Sequence, residues 1–169
     1  MMNPPVLLRR GRLARLMYLG ALLALLFPAV TDAASKRLRV TTTVSMLTDL
    51  VRDVGGERVA AEGLMGPGVD PHLYKATASD VTRLGRADAV FYVGLMLEGK
   101  MEEVFTKLRK PGMVVVAAAE SLPRDQLLKP PAFEGHHDPH VWFDVTLWAR
   151  CAGAVVEGLT AADPAGREY

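Results

Sequence analysis

The chain has 169 residues, with 20 Lys plus Arg against 19 Asp plus Glu. Four of the arginines (Arg9, Arg10, Arg12 and Arg15) lie at the N-terminus. Without residues 1–33 the remainder carries 16 basic against 18 acidic side chains, which excludes the basic surface that nucleic-acid binding needs. The single Cys151 excludes an internal disulfide, and burial is the expected fate of such a thiol.

The N-terminal arginines precede an apolar run from Leu16 to Phe27 and then small residues through Ala33 and Ala34. That order reads as a cleaved secretory signal over residues 1–33. The run is too short for a membrane anchor, which takes about 20 apolar residues, and no cysteine follows it to carry a lipid. Cleavage near Ala33 or Ala34 would release about 136 residues, enough for one domain with its own core.

Leu38 to Thr43 reads as a β-branched strand. Ser45 is then the expected cap of a helix with Leu47, Leu50, Val51 and Val54 at helical spacing, stopped by Gly55 and Gly56. A second strand is expected from Arg58 to Met65, followed by the turn-rich Gly66-Pro67-Gly68-Val69-Asp70-Pro71. Thr77 to Asp80 has the form of a capping box opening a short helix that carries Val81 and Leu84. A third strand spans Ala89 to Val93, and a helix with Met101, Val104, Phe105 and Leu108 on one face ends before Pro111-Gly112. Met113 to Ala119 is a continuous apolar run, expected to be a strand buried on both faces. A last helix places Trp148, Cys151, Ala152, Val155 and Leu159 on one face, and Asp163-Pro164 carries the signature of a further helix start. Strands alternating with amphipathic helices predict an α/β fold over residues 36–162, a parallel four-stranded sheet flanked by helices.

All four histidines fall in two loops, His72 after the second strand and His136, His137 and His140 after the fourth. Both loops leave carboxyl ends of strands, the edge at which open parallel sheets bind ligands. The tripeptide Asp-Pro-His occurs twice, at 70–72 and 138–140. Each proline restricts the residue before it and lowers the entropy cost of holding the histidine after it. Neutral imidazoles suit zinc and other divalent transition metals, so His72 and His140 are candidate ligands of one shared ion. Spacing alone equally allows ordinary loop histidines, and His136 and His137 read as solvated. Asp70, Asp138 and Asp144 read as turn and cap residues, or as partners that orient the imidazoles. Trp142, Phe143 and Trp148 read as core.

Three stretches together carry a resemblance. They are Val40-Thr41-Thr42-Thr43-Val44-Ser45-Met46-Leu47, Met65-Gly66-Pro67-Gly68-Val69-Asp70-Pro71-His72-Leu73-Tyr74 and Asp138-Pro139-His140-Val141-Trp142-Phe143-Asp144. They resemble the TroA-like, or family 9, solute-binding proteins of zinc and manganese ABC importers, from about Leu38 to the end of the chain. The resemblance implies that His72 and His140 ligate Zn2+ or Mn2+. It implies a periplasmic protein that hands its ion to the membrane permease of an importer, acts without catalysis and is monomeric when complete. It also implies two β/α lobes joined by a long helix, with the remaining ligands on the second lobe. Residues 163–169 match the start of that inter-lobe helix, truncated here, so the C-terminal lobe is expected to be absent. The family often has Asn and His where this chain has Val93 and Met96, which bears on the cleft wall. A zinc hydrolase is the alternative of another class, although no helical His-Glu-x-x-His pattern occurs to support it. A non-functional truncated remnant is a further alternative. The choice between zinc and manganese stays open, because the histidine-rich loop of zinc-dedicated relatives is represented only by His136 and His137.

Overall fold

The computed structural model describes residues 36–169 apart from Leu108. The signal segment expected over 1–33 and the contribution of Leu108 to its helix lie outside the described residues. Four strands, β1 (Leu38–Thr42), β2 (Val59–Gly63), β3 (Ala89–Tyr92) and β4 (Val114–Ala117), form one parallel sheet in the order β2-β1-β3-β4. Among the described residues four α-helices alternate with them: α1 (Ser45–Gly55), α2 (Ala78–Arg86), α3 (Met101–Lys107) and α4 (Val145–Ala162). This is the predicted α/β arrangement. Among the described residues no helix is long and apolar enough to cross a membrane.

Parallel neighbours need crossover connections, which is why a helix follows each strand. The chain steps from β1 outward to β2, passes back across β1 through α2, and continues through β3 to β4. Strand order therefore reverses between β1 and β3, and their carboxyl ends diverge at a switch point. Pairing continues past the named strand ends. The amides of Leu64 and Met65 donate to the carbonyls of Thr42 and Thr43 at 2.8 and 2.9 Å, and that of Ala119 donates to Val93 at 2.9 Å. The longer strands expected from composition reflect these extra rungs.

The core is built from the two central strands and the apolar faces of the helices. Val40, Val90, Phe91, Leu47, Val51, Leu84, Phe105 and Val155 are all buried, each contributing roughly 1.5–3 kcal/mol by leaving water. Helix α4 lies close against β3 and β4 because Gly158 faces them. A Cβ there would sit 2.7 Å from Phe91 and 2.8 Å from Val116. Cys151, on the same face, is buried as expected, and burial pushes its thiol up to about 11.

Four local expectations are corrected. Ser45 is the first residue of α1 rather than its cap; Val44 takes the cap position with no side-chain bond, and the Ser45 hydroxyl turns to Met46 Sδ. Strand β4 is only half-buried because it is a sheet edge, and a continuous apolar run does not distinguish an edge strand from a central one. Val81 is 40% exposed on the outer side of α2, where Leu84 alone of the predicted pair reaches the core. Phe143 is 82% exposed, standing out from a 3₁₀ turn over Val141–Phe143 at the carboxyl edge of the sheet.

Candidate metal centre

The loop after β2 carries His72. Its Gly66, Pro67 and Gly68 form a turn that Val69 closes onto the Gly66 carbonyl. Asp70 then folds back so that Oδ1 accepts the His72 amide at 2.9 Å, the local hydrogen bond for which Asp is favoured in turns. Beyond the histidine, the Tyr74 hydroxyl donates to Asp80 Oδ2 at 2.7 Å. Asp80 is fully buried and completes the capping box of α2 with Thr77, as the sequence predicts. It also pairs with Arg83. Burial pushes its carboxyl up, but the Thr77 hydroxyl and amide, Tyr74 and Arg83 together hold it below its ordinary value. A buried carboxylate thus fastens the His72 loop to the scaffold.

The longer loop after β4 carries His136, His137 and His140 and contains four 3₁₀ turns. Its middle is pinned where the Asp138 amide donates to the Leu128 carbonyl at 2.8 Å. Asp138 Oδ1 accepts from the His140 amide at 2.9 Å and lies 2.7 Å from His140 Nδ1. Burial raises the Asp138 carboxyl, while the amide and ring of His140 and the nearby His72 outweigh it and hold the group below its ordinary value. Trp142 meets the His140 ring edge-on with centroids 5.2 Å apart. Asp144 turns away from the histidines and caps α4, accepting from the Thr146 and Leu147 amides.

The two loops bring the Nε2 atoms of His72 and His140 to 3.4 Å from each other across 68 residues of sequence. His136 is exposed, His137 is half-buried, and neither pairs with the other two rings. A cleft of about 300 Å³ opens at this meeting point, lined among others by Val44, Met46, Met65, His72, His140 and Trp142. A second cavity of about 290 Å³ lies on the other flank of His140, against Leu128, Phe143 and Leu147. Chemically, two imidazole nitrogens so disposed are half of a tetrahedral donor set for a divalent ion. Among the described residues no group of three or more His, Cys, Asp or Glu side chains gathers to complete it.

Sequence reasoning passed over one residue behind this edge. Glu98 is fully buried, accepting from Thr43 Oγ1 at 2.7 Å, the Val93 amide at 2.8 Å and the Gly94 amide at 3.0 Å. It ties the end of β1 to the end of β3 at the switch point. Burial raises its carboxyl against those three donors. The signal was a lone acidic residue in the otherwise apolar run Val93-Gly94-Leu95-Met96-Leu97. Gly99, next in sequence, packs close to the His72 backbone, where a Cβ would lie 3.4 Å from the His72 carbonyl oxygen.

Residues 40–169 match the family ZnuA, described as zinc-uptake complex component A, periplasmic. The chain belongs to this family. It is 50% identical over 133 residues to the zinc-binding protein TroA of Treponema pallidum (strain Nichols), a match covering 79% of this chain and 42% of that protein. It is 44% identical over 139 residues to the manganese-binding lipoprotein MntA of Bacillus subtilis (strain 168), covering 79% and 44%. The solved structure of the periplasmic zinc binding protein TroA from Treponema pallidum superposes with a TM-score of 0.73 at 48% identity, over 79% of this chain and 47% of that one. The fold is therefore TroA-like, and the chain spans less than half the length of these relatives.

Proposed function

We propose that the chain is the N-terminal lobe of an extracytoplasmic receptor that captures zinc or manganese and delivers it to the membrane permease of an ABC importer. The ion is cargo. His72 and His140 supply two of its ligands through Nε2, and a C-terminal lobe supplies the others; Asp163, expected to cap a further helix, instead pairs with Arg58 beside a 3₁₀ turn over Pro164–Gly166. A secretory signal over residues 1–33 takes the protein to the periplasm. The observation that carries this reading is the 3.4 Å approach of the two Nε2 atoms. Two copies of one tripeptide, far apart in sequence, direct the same ring atom to the same point. Membership of a family whose relatives are named for zinc and for manganese supports both ions as cargo.

A binding role also fits the carboxylates. A zinc hydrolase needs an open coordination position and a base free to activate water. Asp70 and Asp138 are instead turned onto the backbone of their own loops.

Isothermal titration of the full chain with Zn2+ tests the assignment. Either His72→Ala or His140→Ala leaves one imidazole at the site and should weaken binding by about a hundredfold or more, since each histidine is half of the local donor set. His136→Ala and His137→Ala should leave the affinity within about twofold of the parent, having removed no ligand. Undiminished affinity in His140→Ala would remove that residue from the site.

A further inference from the structure

Two acidic side chains are fully buried among the described residues, Asp80 and Glu98. Asp80 completes a helix cap beside it in sequence, whereas Glu98 gathers donors from different strands. Its Oε1 takes the Thr43 hydroxyl at 2.7 Å and the Val93 amide at 2.8 Å, and its Oε2 takes the Gly94 amide at 3.0 Å. Thr43 is itself a node between strand ends. Its amide donates to the Phe91 carbonyl at 3.2 Å, and its carbonyl accepts the Met65 amide at 2.9 Å. The carboxylate thus ties the ends of β1 and β3 and, through Thr43, the chain leaving β2, where the His72 loop departs. Val44 and Met65, on either side of that tie, line the cleft together with His72 and His140.

The residue after Glu98 meets the same loop by a second route. Gly99 has a φ of 50°, and a Cβ on it would lie 3.4 Å from the His72 carbonyl oxygen. Backbone bonds hold it there, from the Gly99 amide to the Met96 carbonyl at 3.2 Å and from the Met101 amide to the Glu98 carbonyl at 2.9 Å. None of the hydrogen bonds of the Glu98 side chain goes to the His140 loop. We propose that Glu98 is a positioning residue of the metal centre, which sets the place of His72 relative to His140 through Thr43 and Gly99. The proposal rests on the reading that His72 is a ligand. Metal–nitrogen bonds are short, about 2.0–2.1 Å for zinc, so a loop that lets one imidazole drift loses affinity with both ligands still present. The charge on Glu98 matters as well as its size. Three donors converge on it, and a carboxylate offers acceptors alone. Glu98→Gln keeps the shape and turns an N–H toward one or more of those donors.

Zn2+ titration of the full chain, with amide NMR and urea unfolding of each variant, tests the proposal. Glu98→Gln should weaken Zn2+ binding by about tenfold. Before metal is added, it should move the His72 amide resonance and leave that of Asp138, bonded to the Leu128 carbonyl, in place. Gly99→Ala sets a methyl against the His72 carbonyl and should also weaken binding, although every bond of Glu98 remains. Thr43→Val should cost about threefold, since two of the three donors stay. Glu120→Gln disturbs the neighbouring Leu95 amide without reaching Thr43 and should keep affinity within about twofold of the parent. A Glu98→Gln protein that loses stability in urea yet binds Zn2+ like the parent would overturn the proposal, as would equal weakening by Glu120→Gln. If Glu98→Gln does not fold, parent affinity in both Gly99→Ala and Thr43→Val would overturn it instead. His72→Ala separates the two readings. Undiminished affinity there removes His72 as a ligand and the proposal with it, whereas a loss there beside parent affinity in Glu98→Gln defeats the role of Glu98 alone.

Discussion

The Asp-Pro-His of residues 70–72 and that of residues 138–140 have identical chemistry in sequence and different supports in space. The first sits in a loop over residues 64–77 whose fastening lies downstream, where Tyr74 and Thr77 converge on the buried Asp80. His72 itself is exposed. The second sits in a longer loop with four 3₁₀ turns. Its support is immediate, with Asp138 on one side of the half-buried His140 and Trp142 against the ring. A tripeptide can bring an imidazole to a site. The hydrogen bonds around it decide how firmly that imidazole is held.

Substitutions that remove one support at a time should separate the loops by the stability each support carries. Asp80→Ala should have the largest effect, roughly 2–4 kcal/mol in urea unfolding, because it removes the inner half of the α2 capping box and with it the shared acceptor of Tyr74, Thr77 and Arg83. The Asp80 carboxyl is held below its ordinary 3.8. The stability it contributes is thus fully present above that value and is lost as pH falls through the lower folded value. Asp80→Ala should flatten the pH dependence of unfolding in that acid range; an unaltered acid limb would mean that Asp80 does not fasten the first loop. Asp144→Ala, which uncaps α4 just after the second loop, should cost about 1 kcal/mol. A loss as large as that of Asp80→Ala would show that the second loop depends on its helix more than on Asp138. Phe143→Ser should change stability by less than about 0.5 kcal/mol, as expected of an exposed surface position. A greater loss would mean that Phe143 supports the His140 ring, whose centroid lies 6.5 Å away.

The fold was legible because its signals are local and repeated. Helical spacing in α1, the Thr77 to Asp80 box and the glycine pair that ends α1 each act within a few residues, and the alternation of strand and helix then restricts the sheet to parallel crossovers. The pairing of His72 with His140 was also foreseen, since both loops had to leave the same edge. What escaped depended on distant partners. The run around Val114 to Ala117 reads alike for an edge or a central strand, and only the sheet order separates them. Phe143 is apolar in sequence, yet the turn that carries it faces outward. Nothing within either tripeptide tells Asp70, which reaches only the amide of its histidine, from Asp138, which reaches the ring as well. Glu98 could be noticed as a charge among apolar neighbours, but its donors come from β1 and β3 together.

The turn after β3 runs through three successive residues of positive φ, Gly94 (86°), Leu95 (54°) and Met96 (68°). Backbone of this hand can gather neighbouring N–H groups into a concavity, and amide concavities at switch points of α/β sheets are common cradles for phosphate and other anions. In this chain the cradle is filled from within. Glu98 takes the amides of Val93 and Gly94, Glu120 that of Leu95 and Glu102 that of Met96. The donors that would greet a phosphate are spent on the protein's own carboxylates. A sheet edge often suited to anions is left with its positive face covered.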